Sequence, residues 1–155
     1  MRVFLTYNLK QTVMEREIKF KAKSIEPSTD GKWVYGSLLI HGSCTYITPE
    51  IPFTPFGLLK YRVDGDTVCQ FAWHDEKHNQ DVYEYDYDES GYCIIYCQIC
   101  RGWAVAKLDE EHLANGVKHL IELDNGRNEN CFTCSGETYL YEIVDDFKVV
   151  GNLMD

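Results

Sequence analysis

The chain is short of positive charge. Fifteen Lys and Arg stand against 25 Asp and Glu, giving a formal net charge of -10 at pH 7. Nucleic-acid phosphates and anionic membranes are bound by cationic side chains that displace counterions, so this balance argues against both as direct partners. A basic partner suits it better, although negative charge also serves simply to keep a protein in solution. No apolar run approaches the ~18 residues needed to cross a bilayer. The opening stretch MRVFLTYNLKQTV lacks the long apolar core and small-residue cleavage site of a secretory leader. A cytoplasmic location is therefore expected. The chain also has no G-x-G-x-x-G, no P-loop, no H-E-x-x-H and no G-x-S-x-G. The common nucleotide, zinc-hydrolase and serine-hydrolase chemistries find no foothold, and a non-enzymatic role is expected.

What is present points to sheet. The 155 residues are about one domain's worth, 45% hydrophobic and 14% aromatic, with 11 Tyr. Glu17 to Ser24 alternates, with Ile18, Phe20 and Ala22 on one face and Lys19, Lys21 and Lys23 on the other. Pro27 to Gly31 is a turn cluster, and Lys32 to His41 a second strand, with Gly36 marking a bulge or close backbone approach. Further strands are read at 45–47, 66–73, 81–88, 117–123, 138–144 and 147–150, with two apolar stretches over 92–108 interrupted by Arg101-Gly102 and a helical turn or two at 109–114. Short strands at this turn spacing predict a mainly β fold. The expected form is a small antiparallel β-barrel or sandwich, SH3-like or a partly open barrel, with at most one or two short helices.

Seven Cys, an odd number in a chain without a visible leader, argue for thiols or metal ligands rather than disulfides. Cys97-Gln98-Ile99-Cys100 and Cys131-Phe132-Thr133-Cys134 are two C-x-x-C pairs, each with a glycine two residues on, Gly102 and Gly136. Four thiolates from such pairs can surround a structural Zn²⁺. The spacing between the pairs exceeds the roughly 15–20 residues of the common pattern. The competing reading is that these Cys pack as small hydrophobes, as Cys44, Cys69 and Cys93 do in strand contexts. On that reading no cofactor is bound. Neither pair precedes a convincing helix, which counts against thioredoxin-like chemistry.

Charge concentrates between Asp75 and Glu89, seven acids against Lys77. Along an exposed strand, Glu84, Asp86 and Asp88 would repeat on one face every ~6.6–6.8 Å. That spacing is close to that of phosphates on a nucleic-acid strand, so these three are candidate partner-binding residues. An edge strand using charge against aggregation is the plainer explanation. His74, Asp75, Glu76, His78 and Asp81 hold the residue types of an acid–base site, and equally those of a solvated hairpin loop. His41, His112 and His119 stand alone.

Five stretches fall in a familiar order: Arg16-Glu17-Ile18-Lys19-Phe20; Gly31-Lys32-Trp33-Val34-Tyr35-Gly36; Asp66-Thr67-Val68-Cys69-Gln70-Phe71; Val82-Tyr83-Glu84-Tyr85-Asp86; and Val149-Val150-Gly151-Asn152-Leu153. The chain in this respect resembles the YopX family of small phage and prophage proteins, which carry REIKFR, GxWVYG, TVxQFTG, IYEGD and VIGNI. The resemblance runs from about Met14 to Asp155. It implies one β-rich domain over 14–155, with 1–13 as an extension or extra strand. Two departures are visible: Ala72-Trp73 replaces the family's T-G, and Tyr85 replaces the glycine of its YEGD turn. Loss of that glycine removes tolerance for positive φ, so the turn is expected to be reshaped. The family has no established enzymatic activity. The resemblance implies a phage or prophage-type protein that binds another protein, self-assembly into a homo-oligomer included. Three alternatives stand beside it. They are an acidic inhibitor or nucleic-acid mimic acting on a host nucleic-acid-binding or defence protein, a zinc-stabilised binding module, and a hydrolase-like enzyme using the 74–81 loop.

Overall fold

The computed structural model describes residues 18–50, 53–55, 57–97, 101–108, 110 and 140–155. The extension 1–13, the 117–123 element, His112, His119 and all of the 109–114 element except Glu110 lie outside these residues.

The first strands are β1 (Phe20–Lys23), β2 (Trp33–His41), β3 (Cys44–Thr48), β4 (Phe53–Thr54), β5 (Gly57–Leu58) and β6 (Tyr61–Val63). After a 3₁₀ turn at Gly65–Thr67 come β7 (Cys69–Asp75), β8 (Gln80–Tyr83), β9 (Asp86–Tyr87), β10 (Tyr92–Cys97) and β11 (Gly102–Lys107). A single helical turn, α1 (Leu140–Ile143), precedes β12 (Gly151–Asn152). The fold is mainly β. A six-stranded antiparallel sheet runs β6-β3-β2-β1-β7-β8, a four-stranded one runs β11-β10-β9-β12, and β4 and β5 form a minor hairpin.

The opening hairpin follows from its sequence. The turn between β1 and β2 is knotted by Ser24, whose hydroxyl lies 2.7 Å from that of Thr29 and accepts from the Glu26 N–H at 3.1 Å. Gly31 closes the turn at φ 74°. Gly36 is where β2 changes partner, pairing with Phe20 of β1 while Ser37 pairs with Thr48 of β3. A Cβ there would stand 2.0 Å from the Thr48 carbonyl oxygen. The close approach expected of Gly36 is thus met by backbone. The six-stranded sheet curls until Ser24 bridges Val63, with the Ile25 N–H donating to the Arg62 carbonyl and the Asp64 N–H to that of Lys23, each at 2.9 Å. Among the described residues no barrel closes, and a partly open sandwich describes the result.

Ala22, Ile47 and Val63 fill the curl, with Phe20, Val34 and Leu38 around them. The strand β10 is apolar on both faces because both are covered. Cys93 and Ile95 join Ala104, Ala106 and Leu108 on one side. Ile94 and Val105, cross-strand partners, join Val82, Ile143 and Phe147 on the other. That second cluster ties the two sheets together through β8 and α1. The TYLYEIV stretch, expected as strand, contributes the helical turn α1 instead. Leu140 and Ile143 sit one turn apart and pack the same cluster, so tertiary burial overrides the β-propensity of Tyr and Ile. Likewise 147–150 is not strand. The Gln80 side chain holds it, donating to the Phe147 carbonyl at 3.1 Å and accepting from the Val149 N–H at 3.2 Å.

Candidate functional site: an aromatic groove over a buried ion pair

Alternation sends Lys19, Lys21 and Lys23 to the face of β1 opposite the Ala22 core. A half-buried strand would leave all three in water, and this is where pattern and structure part. Lys21 is only 7% exposed. Its amine lies 4.4 Å from the centre of the Trp33 ring and 5.1 Å from that of Tyr83. It donates to Asp86 Oδ1 at 3.2 Å. On either side, Lys19 reaches Asp81 Oδ2 at 2.8 Å and Lys23 lies 5.4 Å from the Trp33 ring centre while donating to the Asp155 main-chain carbonyl at 3.3 Å.

Asp86 is 1% exposed, and its carboxylate is saturated. Oδ1 also accepts from Asn152 Nδ2 at 2.7 Å, and Oδ2 accepts from the Tyr83 N–H at 2.8 Å. A buried charge persists only when paired and hydrogen-bonded, and this one is both. Burial pushes the Asp86 carboxyl above its usual range against the pull of Lys21 and Asn152. Asn152 uses its whole side chain: Nδ2 also donates to the Glu84 carbonyl at 3.0 Å and Oδ1 accepts from the Met154 N–H at 2.9 Å. Its place is set by the pairing of β12 with β9, which puts Asn152 opposite Asp86 and Gly151 opposite Tyr87. A Cβ on Gly151 would fall 2.5 Å from the Tyr87 hydroxyl, so a side chain there would have to displace that ring.

Over this pair opens a groove of about 500 Å³. Its lining includes the aromatic residues Trp33, Tyr35 and Tyr83, the segment Val149 to Asn152, and the carboxylates of Asp81 and Asp155. The rings of Tyr35 and Tyr83 stand 5.8 Å apart and tilted. Tyr35 remains 51% exposed. Trp33 Nε1 donates to Asp155 Oδ1 at 2.9 Å.

The row expected of Glu84, Asp86 and Asp88 is not formed, because no single strand runs through them. The strand β8 stops at Tyr83, Glu84 and Tyr85 turn the chain, and β9 begins at Asp86. Asp86 points inward. Asp88 is 9% exposed and accepts from the Tyr92 N–H at 2.9 Å. Glu84 is half-buried, and burial holds its carboxyl above the usual range. Tyr85 stands at a positive φ of 68°, an uncommon conformation for a residue with a side chain. Its ring packs on the Cys93 and Cys69 clusters, which holds the backbone there.

The 74–81 residues form a hairpin tied by its own side chains. Asp75 accepts from the Lys77 N–H at 3.1 Å and Gln80 Nε2 at 3.0 Å, with His78 Nδ1 at 2.6 Å. His74 Nδ1 lies 2.8 Å from Asp81. Glu76 is exposed. Desolvation raises the Asp75 and Asp81 carboxyls, but the hydrogen bonds of His78 and Gln80 to the first, and of Lys19 and His74 to the second, prevail and hold both below the ordinary carboxylate range.

Of the four zinc candidates, Cys97 ends β10, opposite Gly102 of β11, with Arg101 between them at φ 54°. Cys100, Cys131 and Cys134 lie outside the described residues. Cys69 is buried, which pushes its thiol up to about 12. Cys93 is buried and shifted the same way.

Sequence reasoning missed Lys21, Trp33, Tyr35 and Asn152 as a unit. Four of the five stretches singled out in the sequence supply groove residues or their immediate neighbours. Set against protein-family models, curated proteins and solved structures, the chain matches none of them.

Proposed function

We propose that this is a non-enzymatic binding protein whose partner is another protein, and that the Trp33–Tyr35 groove belongs to the contact surface. One observation carries the reading. The groove is wide and aromatic, yet Lys21, Asp81 and Asp86 within it are engaged by neighbours rather than poised toward open space. Acid–base and nucleophilic catalysis need a group free to exchange a proton or an electron pair with a guest. Tyr and Trp, by contrast, offer large contact area at low entropic cost, and they dominate interface cores. Tyr35 and Leu39, two exposed residues four apart on β2, extend the apolar character beyond the groove. The resemblance to YopX proteins adds a phage or prophage setting and a cytoplasmic workplace to the same proposal.

Tyr35→Ala and Leu39→Asp test it, in parallel capture and light-scattering experiments with the wild-type chain. Loss of a captured partner or of self-association in either variant, with folding intact, supports the reading. A wild-type chain that stays monomeric and captures nothing the variants do not also capture contradicts it.

A second reading rests on the β10–β11 hairpin, whose connection begins at the first C-x-x-C and re-enters the sheet opposite Cys97. On that reading Cys97, Cys100, Cys131 and Cys134 hold a structural zinc that braces the binding module. Native mass spectrometry decides it. One zinc per chain, removed by chelator together with folded structure, supports the brace, and an apo mass with native structure refutes it.

A further inference from the structure

Resting on the protein-binding reading, we propose that the groove receives a cationic side chain, arginine above all, from a basic segment of the partner. The lining contains one cation, Lys21, and three carboxylates, Asp81, Asp86 and Asp155. Lys21 answers Asp86, and Lys19, from outside the groove, answers Asp81. The Asp155 carboxylate is met by neutral donors, Trp33 Nε1 at 2.9 Å and the Asn152 N–H at 2.9 Å, and Lys23 bonds its main-chain carbonyl instead. That leaves the Asp155 carboxylate bonded by neutral donors among the described residues, in the same lining as the half-exposed Tyr35 ring, while the Trp33 ring already carries Lys21 at 4.4 Å and Lys23 at 5.4 Å.

A guanidinium is suited to this combination because it stacks on aromatic rings and donates a planar fork to carboxylate oxygens. The protein already makes the same kind of contact internally, since Lys21 is sandwiched between Trp33 and Tyr83. A guest arginine would repeat that arrangement one step outward, on Tyr35. The surrounding field agrees: burial pushes the Tyr35 hydroxyl above its ordinary range, and Asp86, Asp155 and Asp81 push it the same way. The net charge of -10 would steer a basic segment toward the molecule from a distance. An acidic segment would meet like charge, and a purely apolar one would leave the Asp155 carboxylate desolvated.

The test uses the whole chain and three capped peptides, Gly-Arg-Gly, Gly-Leu-Gly and Gly-Glu-Gly. The readout is the Trp33 indole N–H resonance, identified with Trp33→Phe, because that proton already sits on Asp155. The arginine peptide should shift the resonance saturably, with weakening as salt rises and about tenfold weaker binding in Asp155→Asn. Tyr35→Ala removes the stacking face without touching the carboxylates and should weaken binding as well. An equal response to the leucine peptide overturns the proposal in favour of apolar docking. No response to any peptide overturns it outright. If the peptides fail while Leu39→Asp still abolishes partner capture, the groove assignment falls and the protein-binding reading stands. If no partner depends on Tyr35 or Leu39, that reading falls independently.

Discussion

Two acidic clusters lie within a dozen residues of each other and end in opposite states. Asp75 and Asp81 sit in a surface hairpin, where His74, His78, Gln80 and Lys19 hold them below the usual carboxylate range. Glu84 and Asp86 sit in the next turn, where the second sheet and residues 151–152 cover them and burial raises both. Both are acid-rich turns, the first among polar residues and the second among tyrosines. The difference comes from what arrives later in the chain. Asn152 closes over Asp86 from 66 residues away, whereas the described contacts of the 75–81 cluster come mostly from the hairpin itself and from Lys19. Asp75 and Asp81 fasten a hairpin, while Asp86 joins two sheets.

The largest effect should come from breaking the buried cluster. Asp86→Ala leaves the Lys21 ammonium without its counter-ion inside the protein and should cost about 3–5 kcal/mol in urea unfolding. Next comes Asn152→Ala, which strands the Glu84 carbonyl and one bond to Asp86. Loss of about 1–3 kcal/mol is expected in the same measurement. Smaller again is the strain at Tyr85. Replacement by Gly or by Ala removes the same ring, but only Ala retains a Cβ at φ 68°. Tyr85→Gly should therefore be about 1 kcal/mol more stable than Tyr85→Ala, and equal stabilities would mean that the turn relaxes.

The smallest effect sharpens the comparison by sign. Asp75 and Asp81 have depressed values when folded, so their contribution is present above the unfolded carboxyl value of roughly 3.9 and is lost as pH falls through the folded values. Asp86 and Glu84 have raised values, so their contribution is fullest in acid and is lost as pH rises through them. His78→Ala should return Asp75 toward its ordinary range and flatten the fall in stability below about pH 4. An unchanged acid slope would show that His78 does not hold that carboxyl.

Much of the fold was legible where local chemistry decides it. Pro27 to Gly31 made a turn, Gly36 marked a close backbone approach, and the alternation of β1 placed Ala22 in a core. The same alternation misled about the other face, because period-2 patterning says which residues share a side but not what later covers it. Lys21 looks solvated in sequence and is buried by Trp33, Tyr83 and Asp86. The row of Glu84, Asp86 and Asp88 failed for a related reason: a two-residue break between strands, the turn at Glu84 and Tyr85, sends its carboxylates to different surroundings. Val82–Asp86 and Val149–Leu153 could be seen as recurring stretches, yet nothing in their composition said that they meet.

The claim on which the groove depends is that Lys21 and Asp86 act as one coupled pair joining the sheets. A double-mutant cycle with Lys21→Met, Asp86→Leu and the double variant, measured by urea unfolding, tests it directly. The double variant should be more stable than Asp86→Leu alone, with a coupling of about 2 kcal/mol, because it removes the orphaned charge along with its partner. Additive losses, with no coupling between the two sites, would contradict the account.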